Sequence, residues 1–115
     1  MQHDPKQLQA VVQQAASPDL PLAFRPMFGG IMAYADDKPF ASLSNVGLAL
    51  KLSGTDHAKL LAQEGAAALR YHPDQPASKS YVLVPDVMLS DPALLRHWIT
   101  LSADGLKPDR ARSRR

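Results

Sequence analysis

The alternation of apolar and polar positions predicts an antiparallel sheet that begins in residues 27–34. This stretch reads Met-Phe-Gly-Gly-Ile-Met-Ala-Tyr, and an acidic turn at Asp36 and Asp37 follows it. Aromatic and branched side chains favour a half-buried pleated surface, whereas a glycine pair marks a bulge or a close backbone approach. We therefore predict a first strand here, a tight turn, and a second strand over residues 40–44.

The third strand has the clearest pattern. Residues 48–52 read Leu-Ala-Leu-Lys-Leu, the period-two alternation of a strand with one dry face. Short turns join the first three strands, so neighbouring strands run antiparallel. Two further strands are predicted over residues 69–71 and residues 81–84, and the second of these ends at Pro85.

Three helices are predicted to cover one face of this sheet. The first begins at Asp4-Pro5, where the aspartate can cap free amide groups and the proline suits the first helical position. Ser90-Asp91-Pro92 repeats this device at the start of the last helix. Apolar residues recur at helical spacing in the first helix, and one face of the last helix is largely apolar. The residues concerned are Leu8, Val11, Val12, Ala15 and Ala16, and then Leu95, Trp98, Ile99 and Ser102.

The middle helix completes the predicted order. Thr55 or Asp56 can cap it, it runs to about Glu64, and Gly65 suits the left-handed residue that often ends a helix. The order is therefore α-β-β-β-α-β-β-α. It predicts one α+β domain over residues 1–106, a two-layer sandwich in which helices cover one face of an antiparallel sheet of about five strands.

Composition narrows the function classes. The chain has 115 residues and no cysteine, so disulfides, thiolate zinc sites and cysteine nucleophiles are excluded. Its start lacks the charged-then-apolar plan of a secretory signal, and no apolar run approaches the ~20 residues that span a bilayer. We expect a soluble cytoplasmic protein with no membrane partner.

Positive charge is concentrated at the end of the chain. The net charge is +2, and residues 107–115 carry five positive charges and one negative charge. The tail therefore contributes +4, which leaves −2 on residues 1–106. The tail is either a solvated terminus or a nucleic-acid contact that engages ~4 phosphates at most. Its candidate contact residues are Arg110, Arg112, Arg114 and Arg115.

No motif for catalysis or for a cofactor emerges. The pair Gly29-Gly30 lacks the Gly-Lys-Ser/Thr ending of a P-loop and the third glycine of a dinucleotide fingerprint, so close strand packing is the favoured interpretation. We expect no metal, no cofactor and no enzymatic activity. The histidines lack metal-site spacing, and no nucleophile-elbow pattern surrounds the serines. These residues are His3, His57, His72 and His97, and Ser42, Ser44, Ser80 and Ser90.

Arg25 is the remaining candidate site residue. It precedes the glycine pair, and with Gly29 and Gly30 it forms a possible contact for an anion or for a partner's carboxylate. The alternative is structural, an internal pair with an acidic residue or a bond to a helix carbonyl. Asp36 and Asp37 fall in an exposed turn, where both carboxylates stay ionised.

With these residues in place, the chain resembles the N-terminal domain of the TfoX/Sxy family, bacterial proteins linked to natural competence. The likeness runs from about Arg25 to Trp98. It includes Arg-x-Met-Phe-Gly-Gly from Arg25, a following tyrosine, an acidic turn, Phe-Ala and a Leu-x-Leu-Lys strand. The matching positions are Arg25, Met27, Phe28, Gly29, Gly30, Tyr34, Asp36, Phe40, Ala41, Leu48, Leu50, Lys51, Gly65, Tyr71, Tyr81, Pro85, Asp91, Pro92 and Trp98.

The resemblance implies a fold similar to secretion-chaperone-like domains, which often pair as dimers. It implies a non-enzymatic regulatory or protein-interaction module related to transcription regulators, with a homodimer and the transcription machinery as expected partners. The contact surface would be a sheet edge or the exposed sheet face. The chain departs from the family pattern at Met32 and Asp37, where glycine is common, and at Ala49, where tyrosine is common.

Overall fold

A computed structural model of the chain describes residues 3–27, 30–70 and 74–105. The described part forms the predicted α+β arrangement of a single antiparallel sheet covered by helices. Its elements are α1 (Pro5–Ala15), β1 (Leu22–Met27), β2 (Gly30–Ala35), β3 (Lys38–Ser44), β4 (Gly47–Lys51), α2 (Gly54–Leu61), β5 (Ala67–Ala68), β6 (Tyr81–Leu83), α3 (Asp86–Leu89) and α4 (Pro92–Gly105).

The sheet has six strands in the order β1-β2-β3-β4-β6-β5, so β1 and β5 are its edges. Every pair is antiparallel, and β1 to β4 follow one another as hairpins. The prediction of about five strands was one short, because the predicted first strand is in fact the second. Phe28 and Gly29, which belonged to that prediction, lie outside the described residues.

The additional strand is β1, and its proline explains why the sequence pattern concealed it. Asp36 N donates to Pro21 O at 3.1 Å, and the β1–β2 register continues this pairing along the strand. Inward and outward backbone groups alternate, so the nitrogen of Pro26 lies on the free side of the edge. A missing N–H costs no ladder bond there, which is why edge strands tolerate proline.

The far edge is shorter than predicted and lies earlier in the chain. Instead of residues 69–71, only Ala67 and Ala68 form β5, opposite β6. Leu69 continues the contact, since its N–H donates to Tyr81 O at 2.9 Å. Tyr71, the end of the predicted strand, lies outside the described residues.

The first and last helices begin where the sequence predicts, whereas α2 differs from the prediction at both ends. The Asp4 carboxylate caps α1 through Lys6 N at 3.0 Å, and Asp91 Oδ1 accepts from Leu94 N at 3.2 Å at the start of α4. The middle helix, α2, follows Ser53 rather than Thr55 or Asp56 and ends at Leu61 rather than Glu64. Gly65 has the predicted left-handed conformation, with φ of 90°. The single turn of α3 is too short to show helical periodicity in the sequence.

The face that the alternation predicts to be dry is buried, although Ser42 and Ala49 on the opposite face of β3 and β4 are buried as well. Leu48, Leu50 and Leu52 are at most 6% exposed, and the register places Leu50 in a fully buried row with smaller residues on either side. Small side chains in this row leave room for α1 and α4. The row consists of Ala33, Ala41, Leu50 and Val82, and the helices add Leu8, Val12, Leu60, Leu95, Trp98 and Ile99 to the same core.

A β-bulge in β3 adds one large side chain to this core. The β2–β3 register shifts between Ala33 and Tyr34, which leaves Phe40 as an extra residue on β3. Strict alternation would turn Phe40 to the opposite face from Ala41, yet both are fully buried. The glycine pair was the predicted place for a bulge or a close approach, and the bulge lies on the next strand.

Ser102 of α4 satisfies the backbone where the bulge interrupts the ladder. Its side chain is fully buried, and its Oγ lies 3.0 Å from Phe40 O and 2.7 Å from Lys51 O. One hydroxyl hydrogen thus serves two strand carbonyls that approach it from neighbouring strands. The contact ties α4 to β3 and β4, and Arg96 Nε ties α4 to α1 by donating to Ala15 O at 2.8 Å.

The acidic turn between β2 and β3 adopts the backbone that hairpins favour. Asp36 and Asp37 have φ of 52° and 69°, and they connect the paired residues Ala35 and Lys38. Two positive φ values in a two-residue loop match the right-handed twist of the flanking strands. Glycine is the preferred residue in the second of these positions, which Asp37 occupies here.

We expect the Asp37→Gly variant to be more stable than the parent by roughly 0.5–1 kcal/mol, because glycine avoids the steric cost of a Cβ at positive φ. Urea unfolding followed by circular dichroism measures the difference. The control is Asp37→Ala, which keeps the Cβ but loses the local hydrogen bonding of aspartate, and which we expect to be less stable than the parent. Equal stability of all three proteins would contradict this account of the turn.

Candidate functional site

The side chains that alternate with the buried row form the second face of the sheet. We call this surface the outer sheet face. Register relations place Arg25, Met32, Ser42, Ala49 and Leu83 in one line across β1, β2, β3, β4 and β6. A second line, one step along, contains Tyr34, Lys51 and Tyr81. Charged, aromatic and aliphatic side chains are thus combined on one surface.

Arg25 lies exposed on this face and contacts an aromatic ring. Its guanidinium carbon is 5.4 Å from the centroid of the Tyr34 ring. Arg25 is paired with Met32, so Tyr34 is its diagonal neighbour on the adjacent strand. Attraction between the guanidinium and the ring face holds the Arg25 side chain against Tyr34, while the N–H groups at the edge of the guanidinium remain open to solvent. A contact between Arg25 and an anion or a partner's carboxylate stays a prediction.

Gly30 lies on the same face but is there for packing. A Cβ built on Gly30 would lie 2.7 Å from Leu43 O, closer than side chains approach a carbonyl. The second strand therefore approaches β3 so tightly that only glycine fits. This agrees with the interpretation of the glycine pair as close strand packing, for the one glycine that is described.

The other predicted site residues cannot be placed with these two. Gly29 and the basic tail residues Arg110, Arg112, Arg114 and Arg115 lie outside the described residues. Their proposed contacts with anions or nucleic acid therefore stay predictions.

A cavity of about 290 Å³ opens where the loop after β5 folds back over the outer sheet face. The loop is closed by Ser78, whose N–H donates to Leu69 O at 2.8 Å and whose Oγ accepts from Tyr81 N at 3.0 Å. The cavity wall is mainly apolar, with one cation. Strand residues Met32, Ser42 and Tyr81 and loop residues Leu69, Arg70 and Ser78 contribute to it.

Sequence reasoning did not find this cavity. The prolines at 73 and 76 are typical of a loop, but nothing local indicates that this loop returns to the sheet. The Tyr81 hydroxyl lies 4.0 Å from Met32 Sδ, a contact between residues far apart in the sequence. Only the strand order, which makes β6 a neighbour of β4, brings the loop above β2 and β3.

The histidines have separate environments. His3 Nε2 lies 3.0 Å from Asp86 Oδ1, and the backbone N–H of His3 donates to Asn45 O at 2.9 Å, so His3 attaches the N-terminal segment to α3 and to a hairpin turn. His97 is exposed and meets the Trp98 ring edge-on. His57, predicted as a solvated group, is half-buried, and its Nε2 is buried without a partner among the described residues. His72 lies outside them.

The described ranges contain neither a candidate metal site nor a candidate membrane span. No group of three or more His, Cys, Asp or Glu side chains there could hold a metal ion. No helix in those ranges is long and apolar enough to cross a membrane.

Comparison with known proteins adds one finding. A family model described as TfoX N-terminal domain matches residues 19–106, from the turn before β1 to the end of α4. Neither a curated protein nor a solved structure matches the chain. The match covers the whole sheet, the outer sheet face and three of the helices, and it leaves α1 outside.

We expect the Gly30→Ala variant to be less stable than the parent by about 1–3 kcal/mol, because the added methyl group overpacks β2 against the β3 backbone. Chemical unfolding measures the loss. Ala23→Ser, an exposed change on the partner strand, serves as the control and should have little effect. A Gly30→Ala protein as stable as the parent would contradict the packing role and restore a ligand-cradling role for this glycine.

Proposed function

The chain belongs to the TfoX N-terminal domain family, and from this premise we propose that it is a non-enzymatic regulatory module of the bacterial cytoplasm that acts through protein–protein contacts. The family match over residues 19–106 is the observation that carries the proposal. The proposal is consistent with the polar side chains of Ser102 and Arg96, which form hydrogen bonds to backbone carbonyls and so stabilise the fold. The proposed role is related to that of competence and transcription regulators, and the proposed partner is the transcription machinery.

The form of the sheet supports a contact through its face rather than through its edges. Of the outward backbone positions in β1, only Leu22 and Phe24 can offer an N–H, since Pro26 has none. The opposite edge, β5, is two residues long. Proline and short length are common devices that prevent edge strands from pairing with other chains.

A homodimer is part of this proposal. The exposed large apolar side chains among the described residues lie on helices rather than on the sheet, at Leu61, Val87 and Leu94. Val87 is 79% exposed and lies on α3, next to the start of α4. A second copy that covered these exposed helical side chains would leave the outer sheet face free for another partner.

The basic tail supports a second candidate, an accessory protein that binds nucleic acid. Residues 107–115 carry a net charge of +4 against −2 on the rest of the chain. Contact with ~4 phosphates would give an affinity that falls steeply with salt, with a slope of about −3 to −4 on logarithmic axes. Such binding would not depend on the outer sheet face.

Removal of Arg110 to Arg115 separates the two functions. If the domain works through protein contacts, the full chain and the truncated chain should cross-link to the same proteins in the native host. Cross-linking with mass spectrometry provides the measurement, and sedimentation of the purified protein tests the homodimer.

The control is DNA binding at 50 and 200 mM salt by both forms. The proposal is wrong if the full chain recovers partners only through nucleic acid, so that either nuclease treatment or the truncation abolishes the recovery.

A further inference from the structure

Acidic side chains are absent from the strands of the described sheet. None of the six strands contains an aspartate or a glutamate, although residues 1–106 are net negative. The described acidic residues lie in helices, caps, turns and loops instead. The strands contain three cations, and the register places Arg25 and Lys51 on the outer sheet face and Lys38, opposite the buried Ala35, on the other. The outer sheet face is therefore positive on an otherwise acidic body.

The loop over the cavity continues this positive surface. Arg70 is exposed and lines the cavity, and Lys79 is exposed near the end of the same loop. The loop contains one acidic residue, Asp74, and the turn at Asp36 and Asp37 lies at one end of β2. Among the described residues that line the cavity, Arg70 is the only charged one.

The spacing of the two cations on the outer sheet face suits an extended polypeptide. Arg25 is on β1 and Lys51 is on β4, three strand intervals apart and two residues further along the strand, which corresponds to ~16 Å at ~4.8 Å per interval and ~3.3 Å per residue. An extended chain that runs obliquely across the strands advances ~3.3 Å per residue, so carboxylates about five residues apart would reach both cations. Between the cations lies the half-buried Met32, at the cavity.

The cavity is sized for part of a chain rather than for a cofactor. Its volume of about 290 Å³ is at the lower limit of the ~300–1,000 Å³ typical of small-molecule sites. Its wall of Met32, Leu69 and Tyr81 suits a bulky apolar side chain, and Arg70 at its rim suits a neighbouring carboxylate.

We propose that the outer sheet face binds an acidic segment of a partner protein, with carboxylates on Arg25, Lys51 and Arg70 and one apolar side chain in the cavity beside Met32 and Tyr81. This inference rests on the proposed function as a protein-interaction module and names the surface and the chemistry of the partner. Burial of the apolar side chain supplies the affinity, and the cations supply direction and selectivity.

Other occupants fit less well. A second copy would bring the same cations together, and the chain's own tail, at +4, has the same sign as the face. Single-stranded nucleic acid is anionic, but it stacks its bases on open aromatic faces. One face of the Tyr34 ring is already covered by Arg25, and Tyr81 is half-buried at the cavity.

Selection from a randomised phage-displayed peptide library tests the proposal with the full chain as bait. We expect enriched peptides to carry a bulky apolar residue flanked by Asp or Glu. Arg25→Glu combined with Lys51→Glu should weaken the selected peptides by roughly tenfold and shift selection towards Lys and Arg. The matched control, Lys6→Glu with Lys59→Glu, makes the same change in net charge on exposed helical positions and should retain the binding.

Several results would overturn the proposal. One is the enrichment of peptides that bind the Arg25→Glu/Lys51→Glu variant, the double reversal on the sheet, as tightly as they bind the parent protein. Another is a 20-nucleotide oligothymidine that binds and responds to this reversal while acidic peptides do not, which would assign the face to nucleic acid. A third is a dimer in sedimentation that this reversal alters and the helical control does not, which would assign the face to a second copy.

The outcome can be distinguished from failure of the proposed function. If the double reversal on the sheet still cross-links to the parent's protein partners in the host, the interaction module stands and the assignment of its surface is wrong. If neither protein has a protein partner, the function itself is wrong. Circular dichroism of each variant checks that the fold is intact.

Discussion

Burial of one face of the sheet beneath α1 and α4 is the constraint on which the other features depend. Ala33 and Ala41 have small side chains at the centre of that face, so the helices can pack closely over Leu50 and Val82. The bulge turns Phe40 into the same layer, and Ser102 then supplies the hydrogen bond that the interrupted backbone lacks. The helices occupy this face, and on the other face Ser42 and Ala49 are buried as well, so that only part of it, with Arg25, Met32 and Lys51, keeps exposed surface for a partner.

Most of this architecture could be predicted from the sequence because its signals are local. Alternation along residues 48–52 identified the dry face, and Asp4 and Asp91 identified the starts of two helices. The first edge strand was missed because a proline such as Pro26 normally argues against a strand. A strand tolerates proline only where the proline nitrogen faces away from the neighbouring strand, and this can be known only from the order of strands in the whole sheet. Turn chemistry was recognised at Asp36 and Asp37, but their positive φ values were not.

The candidate site was predictable only in part. Arg25 and Gly30 were identified from a family pattern, and the structure places both on the outer sheet face, one over an aromatic ring and one against a carbonyl. The cavity joins Met32 to Arg70, residues that no sequence spacing relates. Its existence depends on the loop returning across β6, a tertiary event. The net charge of residues 1–106 can be summed from the sequence, but only the strand register shows that Arg25 and Lys51 lie on the same face of the sheet.

The most direct test of a one-sided sheet uses the absence of cysteine in the chain. Single cysteines at Ala33 and Ala41, both fully buried, are compared with single cysteines at Arg25 and Lys51 in their rates of thiol labelling under native conditions. The account predicts fast labelling at positions 25 and 51, and labelling at 33 and 41 only as fast as the protein unfolds. Similar rates at all four positions would contradict it.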